Sequence, residues 1–417
     1  MSDSPILSLA RRAALAAAEF RAVDTDGRRA ILLSAAETLE SRREAILAAN
    51  AQDLEESRAA GRPASTLARL GIDPAQYSQL VHRVRTLADF PEPVGSVVNE
   101  WVRPNGVQIR QVRVPIGVVG IAVEARPLVV ANAAALDLKI GNALVAVADS
   151  LSRRTALALC DAMRDGGIAS GLPRDALQLA IADDPQSVRD LARADGLVDI
   201  LVPRGSAAFV ADIARHATVP VLKHLAGDGH LFVDASANLD MALTLLRDAC
   251  FAEPWSCTSA DTVLLHGAVA EAMLWRLAAE PPVRSGAFAL RPDARAAAIL
   301  GTEPVERTAP EPADRPSLRI EVVDSVEEAI ARINDFGAHV ADAIVTESTE
   351  SRSSFLRYVD SACDCVNASP RLAAGDEFGM GGEVGFSTDK IHARGPLGLE
   401  ALTTMRYLLV GKGQVPD

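Results

Sequence analysis

The stretch Ile116-Gly117-Val118-Val119-Gly120-Ile121-Ala122-Val123, ended by Glu124, decides the fold class. It is far shorter than the ~20 apolar residues a membrane-spanning helix requires, and it reads as a strand buried on both faces. Outward from it the chain alternates. Strands are expected at Gly117–Val123, Ala143–Ala148, Leu177–Ile181 and Val198–Val202, with helical stretches between them at about 128–138, 151–166, 185–194 and 206–215. Such alternation implies a parallel sheet covered by helices on both faces. A second alternation follows Leu231-Phe232-Val233, with strands near 262–266, 318–323 and 341–345. The expected class is α/β. Before the strand near 318–323, Glu303 to Pro316 carries four prolines and reads as a linker or surface loop.

Upstream, residues 5–61 read as three helices, with Asp24/Thr25 capping the second and Gly61-Arg62-Pro63 stopping the third. A further helix is expected over about 74–88. Asn105-Gly106 lies between Asn99–Arg103 and Val107–Val114, a strong hairpin signal. Two readings of this polar hairpin are open: pairing with another subunit, or a plain surface flap. The last strand is expected around Met405–Val410.

Length and composition bound the function. At 417 residues the chain is long enough for two or three domains. Its 49% hydrophobic and 23% charged content excludes disorder, collagen and coiled coil. With 42 basic against 55 acidic residues the net charge is −13, which disfavours nucleic acid and anionic membranes as partners. Small anions need only a local basic pocket. The five cysteines (Cys160, Cys250, Cys257, Cys363, Cys365) are odd in number and form no framework, so reduced thiols in the cytoplasm are expected. Ser2-Asp3-Ser4-Pro5 lacks the basic and apolar regions of a signal peptide.

Cys257 is the residue to single out chemically. It lies in Pro254-Trp255-Ser256-Cys257-Thr258-Ser259-Ala260, between a helix and the strand Thr262–His266, where backbone N–H groups can favour a thiolate and hold an oxyanion. The alternative is a small buried core residue. Cys363 and Cys365, two apart, share a strand face and have no further ligands at zinc-like spacing. The Gly-dense loop Gly379-Met380-Gly381-Gly382-Glu383-Val384-Gly385 is either a set of positive-φ turns or a backbone closing on a ligand. Just beyond it, Lys390, His392 and Arg394 are either an anion site or surface charge.

Glu377-Phe378-Gly379, Gly381, Glu383, Gly385, Ser387-Thr388, Lys390 and His392-Ala393-Arg394-Gly395-Pro396 resemble the C-terminal signature of the γ-glutamyl phosphate reductases, members of the aldehyde dehydrogenase superfamily. The resemblance runs nearly the whole length. It includes Ile46-Leu47-Ala48-Ala49-Asn50, Arg113-Val114-Pro115-Ile116-Gly117-Val118, Glu124-Ala125-Arg126-Pro127, Leu138-Lys139, Gly141-Asn142-Ala143, Pro203-Arg204-Gly205 and Val366-Asn367-Ala368-Ser369, in family order.

The resemblance implies an aldehyde-dehydrogenase-like architecture: two parallel-sheet α/β domains plus a small oligomerisation flap. Residues 1–96 and 115–235, rejoined by about 371–395, would form the cofactor domain. Residues 236–370 would carry the cysteine, and 97–114 with 396–417 the flap. It implies a nucleophilic Cys257, three positions after Pro254, that attacks γ-glutamyl phosphate, with hydride from NADPH reducing the thioester to glutamate semialdehyde. Cofactor contacts fall at Ser150, Pro203, Arg204, Gly205 and Ser206, and substrate contacts at Arg126, Lys139, Ser387, His392 and Arg394. No metal is implied. The expected partners are a small-molecule substrate and other copies of the chain in a dimer or tetramer, with glutamate kinase a further candidate.

The chain is a divergent member. Leu128 stands where the family has an oxyanion-donating Asn, with Asn132 one helical turn on. Val147-Ala148-Asp149-Ser150 replaces a family Arg-Gly-Gly-Ser, and Asp149 is expected to repel a 2′-phosphate. Cys250-Phe251-Ala252-Glu253 replaces Lys-Thr-Gln-Arg, Thr258 replaces Asn, and Glu311 and Pro312 fall where an acidic residue near the nicotinamide ribose is expected. These departures keep two further readings open: a γ-glutamyl acyl transferase or hydrolase without cofactor, and a degenerate paralogue that binds a partner.

Overall fold

The computed structural model describes residues 4–182, 184–223, 227–308 and 315–416. Five helices come first: α1 (Pro5–Phe20), α2 (Thr25–Ser41), α3 (Arg43–Ala59), α4 (Ala64–Leu70) and α5 (Pro74–Asp89). Asp24 caps α2 by accepting from the Gly27 N–H at 2.8 Å. Asp73 and Gln76 form a reciprocal capping box at the start of α5, with Pro74 as its first residue. The short α4 has no counterpart in the sequence reading, which took Gly61-Arg62-Pro63 as a stop; Pro63 also opens the next helix.

The hairpin strands β1 (Val97–Val102) and β2 (Gln108–Pro115) follow, turning at Gly106, whose φ is +85°. The first α/β unit is β3 (Val118–Val123), α6 (Pro127–Ile140), β4 (Ala143–Asp149), α7 (Arg153–Ala169), β5 (Leu177–Ala182), α8 (Pro185–Ala192), β6 (Ile200–Arg204) and α9 (Ala207–His216). Its strands are parallel in the order β5-β4-β3-β6. The second unit runs β7 (His230–Val233), α10 (Leu239–Leu246), β8 (Thr262–His266), α11 (Gly267–Ala278), α12 (Pro281–Arg284), β9 (Ala289–Pro292), α13 (Ala294–Leu300), β10 (Ser317–Val323), α14 (Val326–Phe336), β11 (Ala341–Val345), α15 (Thr349–Tyr358) and β12 (Cys363–Val366). Its sheet is also parallel, in the order β12-β11-β7-β8-β10-β9. A small pair, β13 (Phe386–Ser387) with β14 (Gly395–Pro396), precedes β15 (Thr403–Val410), which pairs antiparallel with β2 to complete the flap sheet.

Two expected boundaries shift. β7 joins the second sheet, with Leu231 and Val233 buried in that unit's core, so the division at 235 falls one strand late. The flap's C-terminal arm begins at Thr403, not 396, because Leu397, Leu399 and Leu402 are buried in the first core. Residues 309–314 of the Pro-rich stretch, including Glu311 and Pro312, lie outside the described residues. Among the described residues no helix is long and apolar enough to cross a membrane.

One buried pair ties the first unit together. Asn142 donates to Asp137 Oδ1 and to the Leu402 carbonyl, each at 2.9 Å, and accepts from the Gly117 N–H at 3.0 Å. Asp137 Oδ2 has no partner, and burial pushes the carboxyl up to about 7. An unfolded aspartate titrates near ~4. Between those values the folded chain holds a proton that the unfolded chain has lost, so this group's contribution to stability falls as pH rises through the window. Asp137→Asn is expected to remove that slope. In melting curves, Tm of the variant minus Tm of the wild type should rise by about 2–4 °C from pH 5 to pH 7.5.

Candidate active site

The C-terminal end of α10 widens into a π-helical turn over Arg247–Ala252. The chain then folds back so that the Ala260 N–H reaches the Ala249 carbonyl at 2.9 Å. Within this loop the Ser256 N–H donates to the Glu253 carbonyl at 3.0 Å, and the Ser259 hydroxyl to the same carbonyl at 2.5 Å. The loop is closed upon itself, and Cys257 stands half-buried at its apex. π-turns of this kind recur at functional sites because they re-aim the residues that follow.

Cys257 opens into a cavity of about 280 Å³ formed by its own turn (Trp255, Ser256) with Arg126, Arg204, Gly205 and Glu383. Arg204 ends β6, and its side chain lines the same cavity as the thiol, whose ionised form its charge favours. It also crosses Gly385, where a Cβ would sit 2.9 Å from Arg204 Cδ, so the missing side chain of Gly385 is what makes room for the guanidinium. Arg204 Nε is buried without a partner. Such an orphaned donor costs about 1–3 kcal/mol, which an anionic ligand would recover. Arg126 is presented between Ala125, at φ +51°, and Pro127, which starts α6. Burial first, then the neighbouring Arg204 and Arg69, push its guanidinium down to about 10.

Burial pushes the Cys257 thiol above its ordinary value. Arg204 opposes that shift, Glu383 reinforces it, and Arg126 opposes it. Burial also raises the Glu383 carboxyl, against the attraction of Arg204. The site therefore sets a thiol, held toward its protonated form, beside two guanidiniums and one carboxyl group.

A larger cavity of about 580 Å³ adjoins the same turn, with Ser256 on the walls of both. His82, Arg83 and Thr86 of α5 line it, facing Arg371 and the Gly-dense segment at Asp376, Gly379 and Gly381. Arg83 is paired with Asp376 and donates to Asn132 Oδ1 at 2.9 Å. Asn132 is thus engaged away from the thiol cavity, and Leu128 packs against the first core. The guanidiniums of Arg126 and Arg204 supply the side-chain donors beside Cys257 that position 128 does not.

At the carboxyl ends of β3, β4 and β5 a crevice of about 200 Å³ lies between α8 and α9. Pro185, Val188, Phe209 and Ile213 form apolar walls, and Asp149, Asp184 and Asp212 lie at its margin. Crevices outside the carboxyl ends of parallel strands are where nucleotides bind in such sheets, and this one suits the flat apolar face of an adenine. Asp149 is largely spent on the scaffold: its carboxylate accepts from the Ala125 N–H at 2.9 Å and from the Ser152 hydroxyl at 2.9 Å. Asp212 is paired with Arg189 through two contacts of 3.1 and 3.0 Å. The repulsion expected from Asp149 is correspondingly blunted.

Of the residues expected from sequence, Cys257 and Arg126 meet in one cavity. Arg204 and Gly205, expected at the cofactor, line the thiol cavity instead. Pro203 is internal to β6, and Ser206 caps α9 while its N–H donates to Glu124 Oε2 at 2.7 Å. Ser150 is exposed just past β4.

Lys139 is displaced entirely. It is buried on α6, with Nζ donating to the Ala88 carbonyl at 2.9 Å, and is no substrate contact. Its long apolar stem is what suits it to that interior position. Lys139→Ala is expected to cost about 2–4 kcal/mol of stability through the cavity and the lost hydrogen bond. Denaturant titration should show this, while the KM of the soluble enzyme stays at the wild-type value.

Ser387 is fully buried on β13 with its hydroxyl unpartnered, and His392 is exposed. Arg394 is held by Asp360, through contacts of 3.0 Å to Oδ1 and to the carbonyl, and Lys390 pairs with the same carboxylate. This pairing pins the C-terminal segment to the turn before β12; Ser387, His392 and Arg394 do not line the thiol cavity. Glu383 does, and the sequence reading assigned it no role. Its signal was a lone carboxylate inside the Gly-dense segment 379–385, directly after Gly381-Gly382.

Comparison with known proteins agrees with this geometry. Residues 3–286 match the model of the aldehyde dehydrogenase family. The chain is 37% identical to the γ-glutamyl phosphate reductase of Thermobifida fusca over 99% of both chains. It is 40% identical to that of Moorella thermoacetica over 97% of both. The crystal structure of γ-glutamyl phosphate reductase from Thermotoga maritima superposes with a TM-score of 0.88 at 30% identity, covering 99% of this chain and all of that one. The likeness runs from the N-terminal helices through both sheets to the flap, and the chain belongs to the γ-glutamyl phosphate reductases of the aldehyde dehydrogenase family.

Proposed function

We propose that this chain reduces γ-glutamyl 5-phosphate to glutamate 5-semialdehyde and phosphate, the reductive step of proline biosynthesis, through a thioester on Cys257. The observation that carries this reading is the thiol set at the apex of a closed turn, in one small cavity with two guanidiniums. Arg204, with its unpartnered Nε, and Arg126 are suited to the oxygens of an acyl phosphate, whose charge they neutralise while Cys257 Sγ attacks the acyl carbon. The bond from that carbon to the phosphate oxygen then breaks. The adjoining cavity, with Arg83 and Asp376 on its walls, offers both signs of charge to the amino-acid end of the substrate.

The crevice between α8 and α9 would hold the adenine of NADPH, the cofactor proposed here, with Phe209 and Val188 against the ring. When bound, that group supplies the hydride that reduces the thioester. The exposed Trp101, Tyr407 and Leu409 of the flap sheet fit pairing with a second copy of the chain.

Incubation with NADP⁺, glutamate 5-semialdehyde and phosphate tests the reading in the reverse direction. Phosphate-dependent formation of NADPH is expected; no reduction of NADP⁺ at high enzyme concentration would overturn it.

A further inference from the structure

The thiol cavity poses a proton problem that its arginines cannot solve. Burial keeps Cys257 protonated at rest, and a thiol must lose its proton to attack. Arg126 and Arg204 have no acceptor capacity, and backbone N–H groups have none either. The Ser256 hydroxyl is turned toward Thr258, 3.1 Å away. Among the described residues lining this cavity, Glu383 is the only carboxylate.

Its placement is fixed from several sides. Glu383 Oε2 accepts from the Gly375 N–H at 3.1 Å, across the turn that Gly381 and Gly382 make at φ +74° and +143°. Gly385, two residues on, carries Arg204 against it. The charged and titratable groups that act on Glu383 are Arg204 from β6, Arg83 from α5 and Asp376 from its own segment, and Glu383 acts in turn on Cys257 and on Cys363 of β12. Burial raises the carboxyl toward the range in which it can exchange a proton with a thiol.

We propose that Glu383 is a catalytic residue that accepts the Cys257 thiol proton and delivers it to the departing phosphate. The step balances without any further reactant. The Sγ–H bond breaks as the proton moves to Glu383, and the Sγ lone pair forms the bond to the acyl carbon. The bond from that carbon to the phosphate oxygen breaks, its electron pair stays with the phosphate, and the proton on Glu383 passes to that oxygen. Glu383 returns to its ionised state. The role rests on the thioester reading above.

Two measurements on wild type and Glu383→Gln, neither using nicotinamide, test it. The first is the rate of Cys257 alkylation by iodoacetamide at pH 7. The second is single-turnover release of phosphate from acetyl phosphate, with the acyl group located on Cys257 by mass. Loss of the carboxylate removes a charge that opposes the thiolate, so the variant should alkylate faster than wild type. It should nonetheless release phosphate about 10²-fold or more slowly, because the proton has no carrier. This split is one that a structural role would not produce. A variant that acylates at the wild-type rate, or in which both rates fall together, overturns the role. Glu383→Asp, which keeps the carboxylate, should recover part of the phosphate release, and it serves as the second variant if Glu383→Gln melts early. If wild type itself places no acyl group on Cys257, it is the thioester reading that fails.

Discussion

Cys257→Ser is expected to lower kcat for phosphate-dependent reduction of NADP⁺ by at least ~10⁴-fold, while nucleotide affinity stays within about twofold of wild type. Serine fits the apex of the turn, since the loop is closed by Ser256, Ser259 and backbone contacts that do not involve the thiol. What is lost is chemical. The two guanidiniums favour the thiolate against burial and the Glu383 charge, and a hydroxyl far above a thiol in pKa stays protonated under the same influences. Binding in the crevice at the other sheet is untouched, because α8 and α9 contribute nothing to the turn. Equilibrium titration with NADPH alongside steady-state kinetics separates the two effects.

Arg204→Met is the second large expectation: a fall of about 10²–10³ in kcat/KM, in line with removal of one donor that meets developing charge. Arg204 is the residue on which the two halves of the site depend. Its backbone is the last rung of β6, paired to Val123, and its side chain lies over Gly385 to reach the thiol. Arg204→Lys is expected to recover little, because an ammonium lacks the planar fork of donors suited to two oxygens of a phosphate. Gly385→Ala, which pushes a methyl to 2.9 Å from Arg204 Cδ, should give a smaller loss of the same kind with KM for nucleotide unchanged. Steady-state kinetics of the three variants would show Met and Lys together, well below Ala.

Much of the fold was legible because it is written in local periodicity. The run Ile116–Val123 became β3, buried throughout, and the strands on either side fell close to their expected ranges. The Asn105-Gly106 turn produced its hairpin for a conformational reason that acts on single residues. β7 was placed in the wrong unit because three apolar residues say nothing about which sheet they enter; that depends on Val345 and Leu265, which lie alongside Val233 in the assembled sheet.

The site was less legible. Arg204 was itself expected at the cofactor, yet its side chain crosses to a glycine 181 positions later in the chain. Lys139 was expected at the substrate from the family resemblance alone. Its partner, the Ala88 carbonyl, is a backbone atom that no sequence pattern marks. Arg394 and Lys390 left an anion site and plain surface charge equally open; Asp360, 30 residues from Lys390, takes both. In each case the deciding contact was long-range and involved a group without a signature of its own.

The central claim, that chemistry passes through a thioester on Cys257, is tested most directly by mass. The enzyme is mixed with NADP⁺ and glutamate 5-semialdehyde in the absence of phosphate, quenched in acid, and the peptide carrying Cys257 is weighed. A γ-glutamyl adduct on that peptide, discharged when phosphate is added before the quench, is the predicted result. Reduction of NADP⁺ with Cys257 left unmodified, or with the adduct on another residue, would contradict it.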